Sequence, residues 1–210
     1  MKNLTSQDVL TALLSAGLEA VYTHQMLVGD DLDVPLYPEA LVQVEVAKSL
    51  KTSLQFAQVE LEASTKILEA SLHRGEPTSP FCSNQGEIDI VCWQWNGPQL
   101  FVEVKDEINN TDDGLIKDVE RLQQLLAIRK DSATQNFPLF GGLLFYSSRK
   151  SPPIRGKHLT SQFLPMVAKE LDKTIQRIKS RVDLVRFTFV HDVREIPNSA
   201  IPDGTPAGYG

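Results

Sequence analysis

The stretch from Gly86 to Lys105 constrains this chain more than any other part of it. It reads Gly-Glu-Ile-Asp-Ile-Val-Cys-Trp-Gln-Trp-Asn-Gly-Pro-Gln-Leu-Phe-Val-Glu-Val-Lys. Two apolar-rich runs flank Asn96-Gly97, a pair that turns tightly because both residues accept positive φ. Side chains on a strand alternate faces. Ile88, Ile90 and Cys92 therefore share one face of the first strand, and Leu100, Val102 and Val104 one face of the second. The opposite face carries Asp89 on one strand, and Glu103 with Lys105 on the other. A three-residue loop, Trp95-Asn96-Gly97, with Gly97 at a left-handed bulge position, sets Asp89 opposite Glu103 and aligns the two apolar rows. A two-residue Asn96-Gly97 loop sets Asp89 across from Val104 and spoils both alignments. The expectation is an odd-length loop or an equivalent bulge.

The rest of the chain reads as helices and strands around this hairpin. Thr5 to about His24 is a predicted helix, with Thr5 as cap, Asp8 three residues on, and Val9, Leu10, Leu13, Leu14, Leu18 and Val21 at helical spacing. Pro38 to about Leu50 is a second, with Pro38 near its first turn and Glu39 by its positive end. Leu54 to Leu61 fits a strand, in competition with a helix through Glu69. Arg74 to Gln85 reads as a loop. Asp112 to Lys130 is a strong helix, with Leu115, Val119, Leu122, Leu125, Leu126 and Ile128 on its apolar side. Leu139 to Tyr146 suits a strand buried on both faces, and Gly141-Gly142 within it suits close backbone packing rather than a phosphate cradle. A basic loop (Ser151 to His158), a long helix (Thr160 to about Val182), a strand (Leu184 to Val190) and a loose tail from Ile196 follow. The expected organisation is one domain over residues 1–195, with its core at about 38–147, then a tail over 196–210.

Composition sets broad limits. No apolar run is long enough to span a bilayer, and Met-Lys-Asn-Leu-Thr lacks the features of a signal peptide, so a cytoplasmic protein with no membrane partner is expected. The two cysteines, Cys82 and Cys92, provide neither a disulfide framework nor paired zinc-ligand spacing. A net charge of −6 argues against coating nucleic acid by bulk electrostatics, but a carboxylate metal site is itself acidic and a basic rim can be local. Basic residues gather at Arg149, Lys150, Arg155 and Lys157, and again from Lys169 to Arg186. The four histidines are scattered, and there is no phosphate-cradling glycine motif.

Two carboxylates and a lysine beside an apolar sheet are costly unless they have a task. Such hard oxygen donors suit Mg²⁺, which keeps several waters and takes one or two carboxylates. The cation can generate hydroxide and offset charge on a phosphate, while Lys105 positions water or stabilises the transition state. Lys105 acts as a base only if burial and the metal depress its pKa. Glu103-Val104-Lys105 is the only Glu-x-Lys in the chain, and its value lies in its place at the end of an apolar strand with an Asp on the matching face. The plain alternative is a solvated strand face with a cross-strand charge pair.

These residues resemble the PD-(D/E)XK, or restriction-endonuclease-like, nuclease superfamily. The likeness rests on Ile88-Asp89, then Glu103-Val104-Lys105, within the order helix, strand, strand, strand, helix, strand. Within the superfamily the chain is similar to uncharacterised bacterial proteins that share Tyr37-Pro38-Glu39, Gly86-Glu87-Ile88-Asp89 and Asp118-Val119-Glu120-Arg121. Ile88 stands where the pattern has Pro. The resemblance implies an α/β fold with a mixed central sheet flanked by helices. It implies Mg²⁺ (Mn²⁺ as substitute) on Asp89, Glu103 and the Val104 carbonyl, with Lys105 as catalytic lysine. It also implies one more acid from the first core helix: Glu39, with Glu45 in reserve and Glu60 and Glu62 further reserves. Lys117, Arg121 and Gln124 on the next helix are its candidates for nucleic-acid contacts, although Lys117 and Arg121 also fit a surface charge ladder with Asp113, Asp118 and Glu120. Trp93 and Trp95 share the Asp89 face and are candidates to stack on a base or shield the site.

The function so implied is a Mg²⁺-dependent endonuclease on DNA, in restriction, repair or phage defence. Possible partners are a second copy of the chain and a defence-system protein. The alternatives are a catalytically inactive nuclease-fold subunit for binding or assembly, and a two-carboxylate glycosidase on another fold, which leaves Lys105 unexplained.

Overall fold

The hairpin forms the middle of a four-stranded sheet in the order β1-β2-β3-β4. The structure, a computed structural model, describes residues 4–28, 39–73, 86–105, 113–131, 139–145, 160–182 and 190–192. Along the chain stand α1 (Ser6–Val28), α2 (Glu39–Ser53), β1 (Gln58–Ser64), α3 (Thr65–His73), β2 (Glu87–Gln94), β3 (Gly97–Lys105), α4 (Asp113–Asp131), β4 (Phe140–Phe145) and α5 (Thr160–Arg181). β1, β2 and β3 pair antiparallel, while β4 joins β3 in parallel. A parallel neighbour requires a crossover, and α4 is that crossover.

The sheet is covered on both faces. On one, Val9, Leu13 and Ala16 of α1 and Val42, Val46 and Leu50 of α2 pack on Ile90, Cys92, Val102 and Val104. On the other, Leu68 and Leu72 of α3 and Leu122, Leu125 and Ile128 of α4 pack on Val91 and Phe101. α5 lies against α4 through Ile178 and Val182. This is a mixed α/β arrangement with helices on both sides of a mixed sheet.

Local chemistry explains the element ends. Thr5 and Asp8 cap α1 reciprocally: the Asp8 N–H donates to Thr5 Oγ1 at 3.2 Å and the Thr5 N–H to Asp8 Oδ2 at 3.0 Å. A Cβ at position 142 would lie 2.7 Å from Leu13 Cδ1 of α1, so any larger residue there makes the Leu13 side chain move. On the other side, a Cβ at Gly141 would stand 3.1 Å from Leu126 Cδ1 of α4. The paired glycines let two helix layers close on β4.

Two expectations about the strands need correction. The stretch read as a strand or a helix is both in succession: β1 runs Gln58–Ser64 and α3 starts at Thr65. Ile88 does not share a face with Ile90 and Cys92. It packs with Val91, Phe101 and its partner Ala63 in the α3–α4 layer. The change of face falls level with Glu62, whose φ of 52° puts an unusual left-handed residue inside a strand.

The hairpin turn is the two-residue Trp95-Asn96, with Gln94 paired to Gly97 (φ 131°) and Trp93 to Pro98. An extra residue, Gln99, then shifts the register, so that Cys92 meets Leu100 and Ile90 meets Val102. The bulge does what the longer loop was expected to do. Without it, Asp89 would fall level with Val102; with it, Asp89 and Glu103 stand one step beyond the Ile90–Val102 pair. The loops at Arg74 to Gln85 and Ser151 to His158, Tyr37-Pro38, Cys82, the strand expected over Leu184 to Val190 (all but Val190, which is not in a strand) and the tail lie outside the described residues.

Candidate active site

Beyond Ile90 and Val102 the ladder between β2 and β3 changes character. The Val104 N–H donates to Asp89 Oδ2 at 2.7 Å, so a side chain replaces the backbone acceptor. In an antiparallel ladder the N–H and C=O of one residue point to the same side of the strand. The Val104 carbonyl therefore also faces the β2 side, next to Asp89.

Glu103 and Lys105 lie on the face covered by α4, the same face as Phe101. The Glu103 side chain is 1% exposed and meets Arg121 of α4. Arg121 donates to Glu103 Oε1 from Nε at 3.2 Å and from Nη2 at 2.8 Å. The same Nη2 donates to Asp118 Oδ1 at 2.5 Å. Lys105 Nζ pairs with the other oxygen of Asp118, Oδ2, at 3.1 Å. Asp118 thus holds one cation on each oxygen, one helical turn before Arg121.

The guanidinium has its space because position 86 is glycine. A Cβ on Gly86 would stand 2.7 Å from Arg121 Nη1. The backbone at Gly86 is fixed by Thr65 at the start of α3. Thr65 donates to the Gly86 carbonyl from both its N–H (2.9 Å) and Oγ1 (3.0 Å), and Oγ1 accepts from the Gly86 N–H at 3.2 Å.

The electrostatics follow from this packing. Burial pushes the Glu103 carboxyl up to about 8; the charges of Asp89 and Asp118 push the same way, and Arg121 pulls against them. Burial alone would pull Lys105 down, but Asp118, Glu103 and Asp89 together outweigh it and leave the ammonium raised above its usual range. In the metal-free protein Lys105 therefore stays a cation at neutral pH. Arg121 behaves alike, with its burial outweighed by Glu103, Asp118 and Asp89.

The other candidates are spread more widely. Glu39 and Glu45 belong to α2, which covers the opposite face of the sheet; Gln43 donates to Glu39 at 3.4 Å and Lys48 pairs with Glu45 at 2.6 Å. Among the acids considered for completing the site, Glu62 is the one level with Asp89, and it is exposed. Glu60 is two pairs further along, across from Val91. Lys117 is exposed, whereas Arg121 turns inward to Glu103, so the two do not present one cationic face. Gln124 is partly buried on α4. Trp93 packs against the core under α4, and Trp95 at the hairpin tip is 90% exposed.

Asp118, the first residue of the Asp118-Val119-Glu120-Arg121 step and a candidate for a surface ladder, is instead the buried partner of both cations. Its position carried a usable signal. Asp118, Arg121, Leu122 and Leu125 share one stripe of α4, and polar residues on a core-facing stripe need buried partners. Glu69 of α3 is a second acid buried to 3% exposure in that layer.

Among the described residues, no three His, Cys, Asp or Glu side chains gather as a ready metal cage. The oxygen donors at the end of the hairpin are two carboxylates and a backbone carbonyl, donor types that suit a hard divalent cation. No described helix is long and apolar enough to cross a membrane. No family model, curated protein or solved structure matches this chain.

Proposed function

We propose that the chain is a Mg²⁺-dependent nuclease that hydrolyses phosphodiester bonds in DNA, on the restriction-endonuclase-like plan. The observation that carries this reading is the bulge at Gln99, which sets Asp89 and Glu103 level where the ladder ends, with Lys105 beside them. Asp89, Glu103 and the Val104 carbonyl hold the cation, and Glu62, level with Asp89 on the neighbouring strand, takes the place expected of Glu39. When bound, the cation supplies an activated water and offsets charge on the phosphate. Lys105, kept charged by Asp118, stabilises the negative charge that builds up on the phosphoryl oxygens. Exposed basic residues, Lys117 on α4 and Lys169, Lys173, Lys179 and Arg181 on the adjoining α5, offer contacts to the backbone of the duplex. Cleavage of both strands calls for a second copy of the chain or a partner in a defence system.

One observation favours a second reading, a nuclease-fold subunit that binds without cutting. Both Glu103 and Lys105 are engaged by α4, as a purely structural ion network requires. The two separate on incubation with linear, circular and single-stranded DNA and with RNA, in Mg²⁺, Mn²⁺ or EDTA. Metal-dependent cleavage that is lost in Lys105→Ala and Asp89→Asn supports the enzyme. Intact substrates under every condition, with the protein folded, refute it.

A further inference from the structure

We propose that Arg121 is a built-in stand-in for the divalent cation: its guanidinium neutralises Glu103 until a metal ion displaces it, and Asp118 retains it afterwards. This rests on the metal-site reading above. An acid buried to 1% exposure either takes up a proton or needs a positive charge beside it, and the metal-free protein offers such a charge. It supplies one from the crossover helix, and both Arg121 bonds fall on Oε1 of Glu103. A metal ion taking Glu103 competes with those bonds for the same carboxylate.

The arrangement is built for exchange and not only for closure. Arg121 Nη2 is already shared with Asp118 Oδ1, so a guanidinium that leaves Glu103 keeps one anion and is not stranded. Asp118 Oδ2 meanwhile holds Lys105, so that cation stays in place while its neighbour moves. Space for the guanidinium depends on the missing side chain at Gly86, whose backbone is pinned by Thr65. Asp118 is thus a positioning residue for both cations, and Arg121 sets how readily the carboxylates accept a metal ion.

The test is Mn²⁺ binding by the full-length protein, read as the Mn²⁺-dependent rise in melting temperature and by direct titration. Removing a stabilising arginine normally weakens a site. Here Arg121→Gln tightens Mn²⁺ binding by about ten- to a hundred-fold, the worth of the charge-assisted bonds that no longer compete. Gly86→Ala, which keeps every charge but intrudes on the guanidinium, shifts affinity in the same direction and carries the test if Arg121→Gln does not fold. Glu103→Gln removes the gain in either background. Equal or weaker Mn²⁺ binding in both variants, with binding intact in the wild type, overturns the stand-in role alone. Absence of Mn²⁺ binding in the wild type and in both variants removes the metal-site reading, and the stand-in role with it.

Discussion

Asp89 carries a structural duty that can be measured apart from any metal. Its carboxylate accepts the N–H of Val104, a residue with no exposed surface, where β2 and β3 cease to pair. Asp89→Ala leaves that N–H without its partner, at a cost of about 1–3 kcal/mol. Asp89→Asn keeps an acceptor oxygen of the same reach and loses only the charge assistance, roughly half of the bond. Both variants remove the negative charge that presses on Glu103, so that gain is common to them and cancels in the comparison. Asp89→Ala is therefore less stable than Asp89→Asn by about 1 kcal/mol. In a chain of 210 residues that separates their melting temperatures by roughly 2–4 °C. Urea unfolding in EDTA, with unchanged m, gives the difference without interference from metal. If Asp89→Ala melts with Asp89→Asn, the carboxylate does not hold the end of the ladder.

Three further outcomes follow from the same contacts. Burial lifts the Cys92 thiol to about 12, so in a Cys82→Ser background it stays unmodified by disulfide reagents at pH 8 until denaturant is added; prompt labelling of the native protein refutes its placement. Gly142→Ala forces a Cβ to 2.7 Å from Leu13 Cδ1 and costs about 1–3 kcal/mol in urea unfolding, and Leu13→Ala in the same chain costs less than the sum of the two single changes. Additive losses show that the two do not touch. Glu103 titrates near 8, above the ordinary value of 4.5, so its contribution is whole below about 4.5 and is lost as pH rises through 8. The metal-free wild type accordingly loses stability relative to Glu103→Gln across that window. Parallel pH profiles for the two proteins contradict it.

The sheet's centre was legible in the sequence because hairpin alternation is a local property. Asp89, Glu103 and Lys105 could be placed from the strand period and the turn, and the need for a compensating bulge followed from the misfit of the short loop. The identity of the bulged residue was not readable, since Gly97 carries the positive φ while Gln99, an ordinary strand residue, is the extra one. The region around residues 54–73 misled for a different reason. Strand and helix follow one another without a loop residue between them, so neither period dominates a window. The change of face at Ile88 depends on an off-pattern backbone at Glu62, which composition does not signal. Arg121 was recognised as cationic, but its direction depends on which stripe of α4 meets the sheet. Pairing it with Lys117 obscured the alignment with Asp118, Leu122 and Leu125.

The crossover helix also ties the burial of Glu103 to the arrival of Arg121. A hairpin such as β2–β3 closes in microseconds and leaves Asp89 and Glu103 hydrated at its open end. Glu103 loses water only when α4 docks to bring β4 alongside β3, and that surface delivers Arg121. The same step that desolvates the acid thus provides its counter-ion, so the chain never has to pass through a state with a lone charge sealed inside.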